Sequence, residues 1–160
     1  MIRMLGWRII AFAWAAQIFF LSTAPFRASV SESFLAGLVA SFHLSVSEST
    51  LAIVNTLFRK LAHLGQYSIF SLLLYRSFGS WNRWQLRLAI WCVLAAATYA
   101  FTDEFHQKLV VGRGPSLIDC GIDTFGAAVA MFLLHLHVRV RGSAHEREIQ
   151  CGRLPDRHSG

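Results

Sequence analysis

"TDEFHQKLVVGRGPSLIDCGID", residues 102–123, sets four carboxylates, a histidine, a glutamine, a lysine and an arginine between two of the most apolar segments of the chain. Before it, residues 86–101 are largely Ala, Leu, Val and aromatic; after it, residues 124–138 are much the same. Gly112, Gly114 and Pro115 cluster in the middle and mark a tight turn. The stretch therefore reads as the end of one apolar helix, a turn, and the start of the next. Each helix, with its share of the stretch, has about the 20 residues needed to cross a hydrocarbon core. That reading decides the fold: helices that span a membrane, with polar groups gathered at one end.

The rest of the composition agrees. The chain has 160 residues, enough for one domain, and is 54% hydrophobic with only 15% charged residues. Soluble domains carry about 25% charged residues, so the deficit points to the membrane class. Cys92, Cys120 and Cys151 are scattered and no C-x-x-C occurs, which supports neither a disulfide framework nor a cysteine metal site. The net charge of +6 is not interleaved with aromatics on a soluble face, so it does not indicate nucleic acid. Its distribution is a sidedness signal instead.

Four apolar runs are expected to be spans: residues 9–24, 57–78, 86–111 and 116–138. The fold class is thus all-α, an integral membrane four-helix bundle over residues 1–138, with residues 139–160 as a polar, disordered tail. The first run also matches a signal peptide, since Arg3 and Arg8 precede it. Pro25 directly after the cleavage-like "STA", and the length of the run, favour a retained span. With four spans, both termini and the loop between spans two and three share a face. That face carries ten basic residues against three acids, and the other five against six. Basic residues concentrate on cytoplasmic loops, so both termini are expected inside and residues 102–123 outside.

In the long first outer connection, Phe34, Leu35, Leu38, Val39 and Phe42 recur at helical spacing. Either a short interfacial helix or an ordered loop packing on the bundle would use that pattern. Ser45 and Glu48 then resemble a capping box opening a helix that runs into span two.

Counting at about 1.5 Å per residue from the inner boundary puts Asp103, Asp123 and His63 roughly one turn below the outer surface. Lys60 and Asp119 lie near the boundary by the same count. The polar groups form stripes. Thr56, Lys60, His63, Tyr67 and Ser71 share a face of span two; Tyr99, Asp103 and Gln107 share one of span three; Asp119 and Asp123 share one of span four. A charge facing lipid at the centre of a span costs about 2.5 to 3.5 kcal/mol on insertion scales, so the stripes should face inward around an outward-opening polar pocket. Ala96, Ala100, Gly126 and Ala130 provide small surfaces for close helix packing behind them.

Local explanations exist for some of these groups. Ser116 and Asp119 match a helix start, and Glu104 with Lys108 is a favourable i, i+4 pair. Asp103, Asp123 and His63 lack a local partner and are functional candidates by their depth, although interhelical hydrogen bonding also accounts for them. No H-E-x-x-H occurs, so a metal site is not favoured, and no cofactor is expected.

"KLAHLGQY" (residues 60–67), "TDEFHQ" (102–107) and "GRGPSLIDCGIDTFGA" (112–127) resemble the motifs of VanZ-like membrane proteins. Those motifs run K-x-x-H-x-x-E-Y, then D-E-x-x-Q, then R-x-x-S-x-x-D-x-x-x-N-x-x-G, and their order on successive helices agrees. The resemblance covers residues 57–130, extends to Ser22, and carries over Lys60, His63, Tyr67, Asp103, Glu104, Gln107, Arg113, Ser116, Asp119 and Gly126. Gln66 departs from the usual glutamate and Asp123 from the usual asparagine, as if a carboxylate had changed helix. The resemblance implies a bacterial cytoplasmic-membrane protein with an envelope role, the founding member being linked to low-level teicoplanin resistance.

Two function classes lead. One is binding or modifying an anionic envelope lipid or cell-wall precursor, a phospholipid or polyprenyl-phosphate head group. Arg59, Lys60, Tyr67, Gln107, Arg113, Ser116, Asp119 and Asp123 would be its ligand-binding residues. The other is a membrane enzyme of acid/base type with Asp103, Glu104 and His63 as catalytic groups. A proton-linked transporter ranks below both, because the inner halves of the spans are uniformly apolar, and a structural or assembly role stands beside them.

Overall fold

An apolar run away from water has one inexpensive way to satisfy its own backbone, the α-helix. The chain takes it four times at length. A computed structural model describes residues 2–22, 33, 37–39, 41, 47–79, 83–108 and 117–151. Its long helices are α1 (Ile2–Ser22), α2 (Glu48–Phe78), α3 (Leu86–Lys108) and α4 (Leu117–Cys151), and no strand occurs among the described residues. Of the apolar residues expected in the first outer connection, Leu38 and Val39 are helical, while Phe34, Leu35 and Phe42 lie outside the described residues.

Among the described residues, three helices contain segments long and apolar enough to cross a membrane: Met4–Leu21, Leu86–Phe105 and Leu117–Ala144. The expected second span, residues 57–78, lies in α2. At 31 residues α2 is about 46 Å long, ample for a crossing, yet Arg59, Lys60, His63, Gln66 and Arg76 lower its hydropathy.

Burial is inverted relative to a soluble protein. Phe12, Leu61, Trp91 and Phe132 are each more than half exposed, whereas Asn55, Ser71, Ser77, Asp103 and Asp123 are buried. Apolar surroundings for the outer face resolve both observations, and the molecule is built as a membrane protein.

α2 occupies the centre, touching α1, α3 and α4, with its interface to α4 the most extensive. α1 and α3 run antiparallel to it, and α4 runs parallel. Arg8 and Trp7 at the start of α1 meet Phe78 and Arg76 at the end of α2, at 5.1 and 5.2 Å from cation to ring. Ser68 and Ser71 of α2 meet the carbonyls of Gly126 and Ala127 of α4 at 2.8 and 3.3 Å. Two further side chains tie backbones across interfaces: Trp14 Nε1 donates to the Gln66 carbonyl at 3.0 Å, and the Tyr99 hydroxyl to that of Ala15 at 2.6 Å.

The expected small residues are where helices meet. Ala96 and Ala100 are fully buried in one core cluster with Ile18, Tyr67, Phe70 and Ala127. A second cluster, toward the end where α1 begins, joins Tyr75, Ala89, Cys92, Met131 and Leu134. Tyr75 also holds the α2–α3 connection, its hydroxyl donating to the Arg83 carbonyl at 2.8 Å and accepting from the Gln85 amide at 2.9 Å. Tyr75→Phe is expected to cost about 1 kcal/mol, read as a lowered unfolding midpoint in detergent. An unchanged midpoint would mean that solvent replaces both bonds at no cost.

Two boundaries differ from expectation. The N-cap of α2 is Ser47, whose Oγ accepts from the Thr50 amide at 3.3 Å. Ser45, expected to cap, lies outside the described residues. Residues 139–151, expected as disordered tail, continue α4 as helix. Arg, Ala, Glu and Gln are good helix formers, no proline intervenes before Pro155, and a helix already nucleated in the span propagates into them cheaply.

Candidate functional site

Helical spacing decides which α2 side chains reach the site. Asn55, Arg59, His63 and Tyr67 stand at successive intervals of four and so share one stripe, with Thr56 and Lys60 beside it. Tyr67 at the deep end of the stripe is fully buried. Near the start of α2, the stripe opens into a cavity of about 170 Å³ lined by Thr56, Arg59, Lys60 and His63 of α2, Glu104 of α3, and Asp119 and Ile122 of α4. Five residues expected in the site therefore share one cavity: Arg59, Lys60, His63, Glu104 and Asp119.

Two pairs cross from α2 to α4. Lys60 Nζ is 3.2 Å from Asp119 Oδ1, both side chains being more than a third exposed. His63 Nδ1 is 3.6 Å from Asp123 Oδ1, and the Asp123 side chain is only 3% exposed. The pairs lie one helical turn apart on both helices, so the parallel register that brings one together also brings the other. Asp119 sits in the first turn of α4, where a carboxylate is favoured by the free amides, and it faces Lys60 as well. The local explanation and the site explanation both hold for it.

Below the cavity the site becomes acidic and closed. Asp103 is 4% exposed and lies within electrostatic reach of Tyr67 and Tyr99, while Tyr67 is also within reach of Asp123. The Tyr67 hydroxyl is buried and has no hydrogen-bond partner among the described residues. Its ring packs on Phe70 and Tyr99, centroids 6.4 Å away in each case, which fixes the phenol between α2 and α3. Arg113 and Ser116 lie outside the described residues, and so does the position of the Gln107 side chain. No cluster of metal-ligating side chains occurs among the described residues.

Asn55 was not singled out from sequence, although it is 3% exposed. Its signal was the strict interval of four to Arg59 and His63, partly masked by the neighbouring stripe through Thr56 and Lys60.

Gly126 holds the two helices at site distance. A Cβ there would stand 2.5 Å from the Leu64 carbonyl oxygen, so only glycine permits this approach of α4 to α2. It lies three residues from Asp123, and Leu64 is the neighbour of His63. This close contact thus sits directly under the deeper pair.

The same stretches can be compared with known proteins. No curated protein and no solved structure is significantly similar to the chain. A protein-family model, VanZ/LLP1, matches residues 7–138, which takes in most of α1, the cavity and most of α4. With its apolar helices, its polar inter-helix cavity and that match across most of its length, the chain belongs to the VanZ-like family.

Proposed function

We propose that this VanZ-like protein crosses the bacterial cytoplasmic membrane four times, with both termini inside, and binds the head group of a phosphate-bearing envelope lipid or lipid-linked cell-wall precursor in its outward cavity. The fourth crossing is α2. Its length, its central packing and its lipid-compatible outer face support this, Leu57, Leu61 and Ile69 being exposed while the polar stripe turns inward. The excess of basic residues on the terminal face supports the orientation. A role in envelope or glycopeptide susceptibility would follow from such binding.

One observation carries the ligand class: Arg59, Lys60 and His63 line a single open cavity at the end of the helices. A guanidinium and an ammonium side by side suit phosphate oxygens. Glu104 and Asp119 share the lining, with Asp103 and Asp123 behind. The best-matched head group therefore carries an amine beside its phosphate, engaging both signs. Lys60 has little structural work, since an ion pair this exposed contributes less than about 1 kcal/mol.

Native mass spectrometry of the purified chain, equilibrated with phosphatidylethanolamine, phosphatidylglycerol or a polyprenyl phosphate, tests the reading. One bound lipid is expected, with retention lowered about tenfold in Arg59→Gln and less in Lys60→Ala, and unfolding midpoints nearly unchanged. Equal retention by wild type and Arg59→Gln would remove the proposal.

A second reading is favoured by the His63–Asp123 geometry. The imidazole Nδ1 is buried against a carboxylate while the ring lines the cavity, an arrangement that orients a general base or acid. Lipid extracts of a deletion strain and an Asp103→Asn strain discriminate: a species altered in both supports catalysis, and unaltered extracts leave binding alone.

A further inference from the structure

The far end of the α3–α4 interface carries a second cavity, apolar and unrelated to the polar one. It is a groove of about 730 Å³ lined by Leu86, Ala89, Ile90, Val93 and Leu94 of α3, by Ala128, Met131, Phe132, His135 and Arg139 of α4, and by Trp84. On α3 these fall at helical spacing, and on α4 they run along one face from Ala128 to Arg139. Its floor is the second core cluster, which includes Ala89 and Met131; Ile90, Leu94 and Phe132 form exposed walls.

Length, polarity and charge define what fits. From Ala128 to Arg139 the α4 wall is about 16 Å long, the depth of one leaflet of a hydrocarbon core of about 30 Å. The lining is apolar along that length and changes at one end only, where His135, Arg139 and Trp84 meet. The Trp84 ring lies 4.8 Å from that of His135 and stacks on Tyr75 at 5.9 Å, so this end is firmly built. Tryptophan and arginine at that depth belong to the headgroup boundary. Apolar for one leaflet and cationic at its edge, the groove has the profile of a phospholipid itself.

We infer that this groove holds one anionic phospholipid, an acyl chain lying between α3 and α4 and the phosphate beside Arg139. A second copy of the chain fits less well. The described acids nearest the helix interface, Asp103, Glu104, Asp119 and Asp123, lie at the opposite end, and Glu146 and Glu148 come two turns beyond Arg139. Among the described residues, a copy packed side by side would thus offer no carboxylate at the depth of Arg139. An anionic lipid surface offers phosphate at that depth by its nature.

The test uses the full chain, equilibrated with equal amounts of phosphatidylglycerol and phosphatidylcholine of matched chains, and counts bound lipids by native mass spectrometry. Phosphatidylglycerol is expected to be preferred about fivefold, the scale of one arginine at an anionic surface. Arg139→Gln should abolish the preference while keeping the lipid, and Ala128→Phe, which fills the groove, should remove one lipid. Both positions are exposed, so neither change disturbs the core. Arg59→Gln should alter neither result, which separates this lipid from any in the polar cavity. Equal retention of the two lipids by the wild type, an unchanged count in Ala128→Phe, or a wild-type dimer that Ala128→Phe converts to monomer would each overturn the inference.

Discussion

Gly126→Ala is expected to destabilise the protein by about 3 kcal/mol, a large drop in unfolding midpoint for a single methyl group. The cause is geometric. The added Cβ would stand 2.5 Å from the Leu64 carbonyl oxygen and 3.2 Å from two further backbone atoms of the same residue. A flexible side chain can move aside, but helix backbone cannot, so α2 and α4 must separate. That separation also weakens the Ser68 and Ser71 bonds to the Gly126 and Ala127 carbonyls. Gly121 is the control on the same helix, because a Cβ there meets nothing within 4 Å. Gly121→Ala should be neutral or stabilising by up to about 1 kcal/mol through helix propensity alone. Equal effects at the two glycines, measured by thermal unfolding in one detergent, would show that close approach is not what Gly126 supplies.

The second large effect is expected at His63. His63→Leu removes the imidazole 3.6 Å from a carboxylate whose side chain is 3% exposed. Leaving the buried Asp123 carboxyl without its partner costs about 1 to 3 kcal/mol, because a polar group in an apolar site is left unsatisfied. His63 itself is partly exposed, which places the expected loss toward the lower end. The diagnostic is the double variant: His63→Leu with Asp123→Asn should recover most of the loss, since the amide carries no charge to strand. The VanZ-like pattern has asparagine at this position, so Asp123→Asn alone should be mild. A double variant as unstable as the sum of the two single changes would mean that His63 and Asp123 act independently.

These expectations frame the division of labour in the molecule. The deeper pair and Gly126 are close neighbours and determine whether α2 and α4 keep their spacing. The shallower residues, Arg59, Lys60 and Glu104, line the cavity, and changes there are expected to cost the fold less. Stability and binding should therefore separate experimentally by depth, with loss of ligand at the mouth and loss of fold one turn below.

Much of this was legible in the chain itself. Helix existence follows from local hydrophobicity, so the four long helices, the small residues at their contacts and the burial of Asp103 and Asp123 could be read residue by residue. Periodicity also placed the right groups on shared faces. Other features needed the packed helices. Sequence assigns a residue to a helix face but not the rotation and register of one helix against another, and these choose partners. Hence only the tertiary structure paired Lys60 with Asp119 and His63 with Asp123, buried Asn55 beside the expected stripe, and brought Gly126 against Leu64. The groove between α3 and α4 belongs to the same class, since it is a gap between two helices and no single helix encodes it. The chain determined its helices and which polar groups share a helix face, because those depend on near neighbours in sequence. Which groups face each other was decided by how four cylinders pack.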